Sequence, residues 1–188
     1  MGKKNYNKKK TSSELFSELE ELIQKRKSSM HEYLNNEIIE KGSLVSYFEL
    51  PDENGNTFEM RNIVGAKSVI IFFYNKNKDP LSIKQVCRFR DKLIFFENTD
   101  TMVVGINNET VEQNKEFSMK HDLNFKLLSD TDNSVRDLFE ENTFYLDYSK
   151  LRSTFVIDMF GYVIHVVKST DQINRHIDES IEMLIEEF

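Results

Sequence analysis

Apolar residues fall into two rhythms along this chain. Ser68 to Tyr74 reads SVIIFFY, a continuous apolar run of strand length, and Thr101 to Ile106 reads TMVVGI. Such runs predict strands buried on both faces of a sheet. Leu44 to Leu50 and Thr57 to Met60 flank Asn54-Gly55-Asn56 and predict a hairpin. Thr154 to Asp158 and Tyr162 to Lys168 predict a second antiparallel pair turning at Phe160-Gly161, and Phe125 to Leu128 a short strand. Between these runs the apolar spacing lengthens to three and four residues. It predicts helices over Pro80 to about Glu97, Thr110 to His121, Asn133 to Phe139 and Asp171 to Glu187. Helices alternating with strands predict a layered α/β domain over residues 41–188. A further stripe (Leu15, Leu19, Leu22, Ile23, Met30, Tyr33, Leu34) begins after the capping residues Thr11-Ser12-Ser13 and predicts a helical extension over residues 11–40. That stripe must bury itself, either on the chain's own domain or by self-association or against a partner helix.

Composition narrows the function classes. The 188 residues suit one domain with a modest extension, and 15 Phe and 7 Tyr are enough for a sizeable core. A net charge of −7 argues against a nucleic-acid binder. The charge is uneven: residues 1–10 (MGKKNYNKKK) form a basic tail expected to be solvated and disordered, with nuclear targeting or contact with an acidic surface as the functional alternative. No stretch reaches the ~18 apolar residues of a membrane span, and no signal-peptide core is seen near the start. Met1-Gly2 opens like a myristoylation site, but Tyr6 stands where Ser or Thr is needed. An intracellular, cytoplasmic setting without membrane contact is expected. The single cysteine excludes a disulfide scaffold. No Cys/His spacing suits zinc, Asp130, Asp132 and Asn133 do not meet the calcium-loop pattern, and no phosphate loop is present, so neither metal nor cofactor is expected.

The candidate chemistry lies in NKNKDPLSIKQVCRFRD, residues 75–91, directly after the first apolar run. A strand, a short polar loop and a helix opening at Asp79-Pro80 set Ser82 in the first helical turn. Unpaired N–H groups and the positive end of the helix dipole would stabilise a thiolate there. The residue is a serine. Its hydroxyl stays protonated near neutral pH unless a base takes the proton, and it has no reversible oxidation ladder. A hydrolytic role would need a positioned base and a third group, and His31, His121, His165 and His176 are scattered. Cys87 lies more than a turn further on, where the dipole has faded. It reads either as a half-buried packing residue or as a thiol forming mixed disulfides, with Arg88 and Arg90 placed to lower its pKa.

The segment FFYNKNKDPLSIKQVCRFRD resembles the active-site region of peroxiredoxins of the bacterioferritin comigratory protein or peroxiredoxin Q type, which typically reads FFYP-K-x-x-T-P-G-C-T-x-E-x-C-x-F-R-D. KGSLVSYFELPDENGN, VVGINNETVEQNKEF, FKLLSD and LRSTFVIDMFGYV resemble further segments of that family in the same order. The resemblance runs from about Lys41 to the C-terminus. It implies a thioredoxin-like fold, a central mixed sheet flanked by helices, with the helical extension outside it.

By the same resemblance, Ser82 falls on the peroxidatic cysteine, Cys87 on the resolving cysteine, Asn75 on the active-site proline, Asp79 on the active-site threonine and Leu81 on a glycine, while the active-site arginine is kept as Arg152. A carboxylate at position 79 adds negative charge where negative charge should develop, and an ion pair between Asp79 and Arg152 in the substrate pocket is expected. The implied protein is peroxiredoxin-like with its own peroxidase cycle disabled, a redox-related binding or scaffold protein contacting a thioredoxin-like or other redox protein, or itself. Two alternatives stay open: Cys87 serves as a single redox thiol of a thioredoxin-dependent enzyme, or Ser82 is an engineered replacement of a natural cysteine.

Overall fold

The computed structural model describes residues 39–139 and 152–187. The basic tail lies outside these residues, as does the expected helical extension except for Ile39 and Glu40, which are irregular. The chain first forms a hairpin, β1 (Glu49–Pro51) with β2 (Thr57–Glu59), in the register Leu50↔Phe58. The Asp52 carboxylate accepts from the backbone N–H groups of Asn54 and Asn56 inside the turn, and Gly55 supplies its positive φ of 80°. The hairpin is shorter than the sequence suggests. Leu44 pairs instead with Tyr162, and Val45 N–H donates to Gly161 O, so that Val45 and Phe48 enter the core rather than extend β1.

The main sheet has five strands in the order β5-β4-β3-β6-β7. The strands are β3 (Ser68–Phe73), β4 (Thr101–Asn107), β5 (Lys126–Ser129), β6 (Arg152–Ile157) and β7 (Val163–Ser169). β3 runs parallel to β4 and antiparallel to β6. The two apolar runs of the sequence thus become the neighbouring strands β3 and β4, covered on both sides. The helices are α1 (Pro80–Asp91), α2 (Leu93–Asn98), α3 (Val111–Lys120), α4 (Ser134–Phe139) and α5 (Ile173–Glu187). On one face Ile70, Phe72 and Val156 pack with Val86 and Phe89 of α1 and Ile173, Ile177 and Leu184 of α5. On the other, Ile71, Phe73 and Phe155 pack with Phe48, Phe58 and Phe139. The Phe72 and Phe89 rings stack at 4.3 Å. A Cβ on Gly105 would come within 2.8 Å of the Phe72 ring, so a larger residue at this strand position would have to displace that buried, stacked ring.

The single helix expected over Pro80 to Glu97 is two. α1 ends at Asp91, and at Lys92 (φ −107°, ψ 3°) the backbone N–H turns back to Arg90 O and Phe89 O before α2 begins. This break lets Phe89 and Phe96, both fully buried, face the same core. A mixed sheet with β3 at its centre and helices on both faces is the thioredoxin-like arrangement that the resemblance implies. Among the described residues no helix is long and apolar enough to cross a membrane.

Candidate functional site

Strand directions assemble the site. β3 ends at Phe73, opposite Ser153 of the antiparallel β6, so the start of β6 and the loop leaving β3 meet at one end of the central strands. Arg152, the first residue of β6, therefore arrives beside the first turn of α1. Asp79 caps that helix, extended at φ −74° and ψ 125°, with Pro80 at the first helical position.

One oxygen organises the contacts. Asp79 Oδ2 accepts from Ser82 N–H at 3.0 Å, from Ser82 Oγ–H at 2.7 Å and from Nη2 of Arg152. Ser82 is fully buried, and its Oγ also accepts from Asn75 N–H at 3.2 Å. Arg152 is buried too, and its Nη1 donates to Thr170 O at 2.6 Å. Burial pushes the Asp79 carboxyl up, but the hydrogen bonds from Ser82 and the Arg152 charge outweigh it and hold the pKa below the usual range. The expected pairing of Asp79 with Arg152 is thus present in the geometry. Among the described residues Ser82 Oγ–H donates to the Asp79 carboxylate rather than to an imidazole, so the serine–histidine arrangement of a hydrolytic triad is not the one formed here.

A polar network that the sequence reading missed fixes the loop between β3 and α1. Asn77 Oδ1 accepts from Tyr74 Oη at 3.2 Å and from Asn107 Nδ2 at 3.0 Å, while Asn77 Nδ2 donates to Asn114 Oδ1 at 3.0 Å. Asn114 in turn donates to Asn107 Oδ1 at 2.9 Å and to Ser129 Oγ at 3.0 Å. The loop carrying Asn75 and Asp79 is thereby tied to the end of β4 and to α3. Burial, reinforced by the charges of Glu109 and Glu53, raises the Tyr74 hydroxyl well above its ordinary pKa, so it acts as a neutral donor.

Cys87 occupies a different environment on the same helix. Five residues at 100° each put it about 140° around the axis from Ser82. Its half-buried Sγ lies 3.9 Å from Nδ1 of His121, at the end of α3. Burial raises the thiol pKa, Asp91 adds to the rise, and the opposing charge of Arg90 does not overcome them. Arg90 thus lowers this pKa in the sense the sequence suggests, but burial and Asp91 outweigh it. Arg90 is engaged elsewhere, forked onto Asp91 Oδ1 and donating to His121 O at 2.7 Å. Burial and the charges of Lys120 and Arg90 lower the His121 pKa, so a neutral imidazole faces a neutral thiol.

Two further buried groups were not anticipated. His176 of α5 lies 2.9 Å through Nδ1 from Thr154 Oγ1, and burial lowers its pKa to about 4. Gln85, one turn beyond Ser82, is fully buried, and its side-chain amide has no hydrogen-bond partner among the described residues. Of the other histidines, His165 pairs with Glu179 at 3.0 Å and His31 lies outside the described residues. Among the described residues no group of three or more His, Cys, Asp and Glu is placed to hold a metal ion.

Comparison with known proteins gives a consistent picture. The model of the AhpC/TSA family matches residues 42–166. The chloroplastic peroxiredoxin Q of Sedum lineare is 34% identical over 146 residues, which span 78% of this chain and 78% of that protein. The putative peroxiredoxin bcp of Coxiella burnetii is 33% identical over 151 residues, 78% of this chain and 99% of that one. In structure, the peroxidoxin BcpB of Mycobacterium tuberculosis matches with a TM-score of 0.70 at 26% identity, covering 79% of this chain and 97% of that one.

Proposed function

The chain belongs to the AhpC/TSA family, on the side of the peroxiredoxin Q and bacterioferritin comigratory proteins, and from that premise we propose that it is a peroxiredoxin whose own peroxidase cycle is disabled. In this reading Ser82 stands at the position of the attacking cysteine, Cys87 at that of the resolving cysteine, and Asn75, Asp79 and Arg152 around them. Peroxide reduction needs a soft, deprotonated nucleophile to break an O–O bond, and a cysteine with a pKa near ~8.5, lowered at a helix N-terminus, supplies one. A serine hydroxyl hydrogen-bonded to a carboxylate does not. The observation that carries the reading is the buried Ser82 Oγ, held between Asp79 Oδ2 and Asn75 N–H at the start of α1. The remaining role is that of a redox-related binding or scaffold protein, contacting a thioredoxin-like partner or a second copy of itself through the retained fold.

Hydrogen peroxide consumption, measured with thioredoxin and its reductase and again with a small dithiol, tests the proposal. The expected result is no turnover above that of the Cys87→Ala variant. Turnover by the unaltered chain that disappears in Cys87→Ala would replace the scaffold reading with a single-thiol enzyme.

A further inference from the structure

The hydrogen bonds at Asp79 point to an obstacle separate from the missing sulfur. Three donors converge on one atom, Asp79 Oδ2: the Ser82 backbone N–H, the Ser82 hydroxyl and the Arg152 guanidinium. Donors that converge from a helix N-terminus and a buried arginine define a point suited to an electron-rich oxygen. Here the chain's own carboxylate fills it. We propose that Asp79 is an internal occupant of this oxygen-binding point, a lock that keeps the site inactive whichever nucleophile stands at position 82, so that restoring cysteine there does not by itself restore peroxide reduction. The proposal rests on reading position 82 as the attacking position.

The physical case has three parts. A sulfur at position 82 would take the place of Ser82 Oγ, which lies 2.7 Å from the Asp79 carboxylate. Two anions at such a distance do not both ionise, so the thiol would stay protonated as a donor to Asp79. The Arg152 charge, which would otherwise steady both a thiolate and the negative charge growing on a departing oxygen, is compensated by the carboxylate. Finally, Asp79 Oδ2 sits where a peroxide oxygen would have to accept its hydrogen bonds. Capping alone does not require the charge, because threonine and asparagine cap helices as well.

The uncaged step balances without an added reductant. A thiolate at position 82 attacks one oxygen of hydrogen peroxide, an S–O bond forms and the O–O bond breaks. Sulfur is oxidised to the sulfenic acid, and the other oxygen leaves as hydroxide, which takes up a proton to become water. A single turnover therefore needs only protein and peroxide.

The test uses the full chain in a Cys87→Ala background, so that any thiol is the one at position 82. Ser82→Cys, Asp79→Thr/Ser82→Cys and Asp79→Asn/Ser82→Cys are mixed with hydrogen peroxide. The rate of sulfenic acid formation is read by mass after dimedone trapping, and the thiol pKa by ultraviolet absorbance of the thiolate. The lock predicts slow reaction of Ser82→Cys alone. It predicts a gain of about 100-fold or more in both double variants, with the thiol pKa falling by about one unit or more. Circular dichroism and a melting curve establish that each variant is folded, and the asparagine variant keeps the test standing if the threonine variant is not. Fast reaction of Ser82→Cys alone overturns the lock and leaves the assignment of position 82 standing. Folded double variants no faster than the Cys87→Ala parent overturn the lock and that assignment together.

Discussion

The first and third turns of α1 give opposite answers to the same chemical question. In the first turn, the free N–H groups of the helix, the buried Arg152 and a donor from the preceding loop converge, and the residue they surround, Ser82, is an oxygen nucleophile. In the third turn there is a sulfur, Cys87, but the helix field has faded, burial raises the thiol pKa and the nearest arginine is committed to Asp91 and to a backbone carbonyl. Reactivity at a cysteine is set by where the sulfur stands more than by its presence in the helix. The helix N-terminus and the buried arginine stand at one end of α1, and the chain's single thiol stands away from both.

If charge organises the first turn and packing the third, the Asp79–Arg152 pair should weigh most on stability. Asp79→Asn keeps a capping side chain but removes the carboxylate from a buried guanidinium, and about 2–4 kcal/mol of unfolding free energy is expected to be lost near neutral pH. A double-mutant cycle with Arg152→Met should show a coupling of about 1–3 kcal/mol in urea denaturation. Additive effects would mean that the pair does not hold the turn, and the contrast with Cys87 would lose its basis.

How much of this contrast can be read from the sequence depends on how far apart the partners lie. Ser82 in the first turn follows from Asp79-Pro80 alone, because capping and proline preference act within three residues. Asp79 with Arg152 is legible only through ordered motifs, since the pairing spans 73 positions. The Asn77, Asn107 and Asn114 network leaves no local signal. The bonds that tie Asn77 into it span 30 and 37 positions, and asparagine after an apolar run reads as an ordinary loop residue. The approach of His121 to Cys87, across 34 positions, is hidden for the same reason. The end of α1 at Lys92 escapes because the apolar spacing continues through Leu93 and Phe96, while tertiary packing decides which rings share a core. The layering of the sheet and its helices is legible, since buried strands and amphipathic helices announce themselves within a few residues, whereas the length of the hairpin and the break at Lys92 are not.

Titration separates the charge from the cap. The Asp79 carboxyl has a lowered pKa in the folded chain, so its contribution is fully present above the unfolded value near 3.8 and is lost as pH falls through the folded value. Asp52 and Glu179 are lowered as well and add acid sensitivity of the same sign. The informative quantity is therefore the difference between the native chain and Asp79→Asn. Measured from denaturation midpoints, it should be constant near neutral pH and shrink as the solution is acidified below that value. A difference that stays constant into acid would assign the stabilisation to geometry and remove charge from the account of the first turn.

The smallest expected effect concerns Cys87 itself. Its thiol is half-buried, its pKa is raised from 9.0, and the imidazole beside it has a lowered pKa and is neutral at pH 7. Only the thiolate reacts with an alkylating agent, so both burial and the raised pKa slow the reaction. At neutral pH the folded chain should react with iodoacetamide roughly 3–10-fold more slowly than the same chain in denaturant, with the rate still climbing above pH 9. Arg90→Ala, which removes the one charge that favours the thiolate, should slow it further, whereas an activated thiol paired with His121 would be insensitive to alkaline pH and faster folded than unfolded. A fast, low-pH alkylation would place a reactive sulfur on the third turn after all, activated locally beside His121, and the contrast between the two turns would fall.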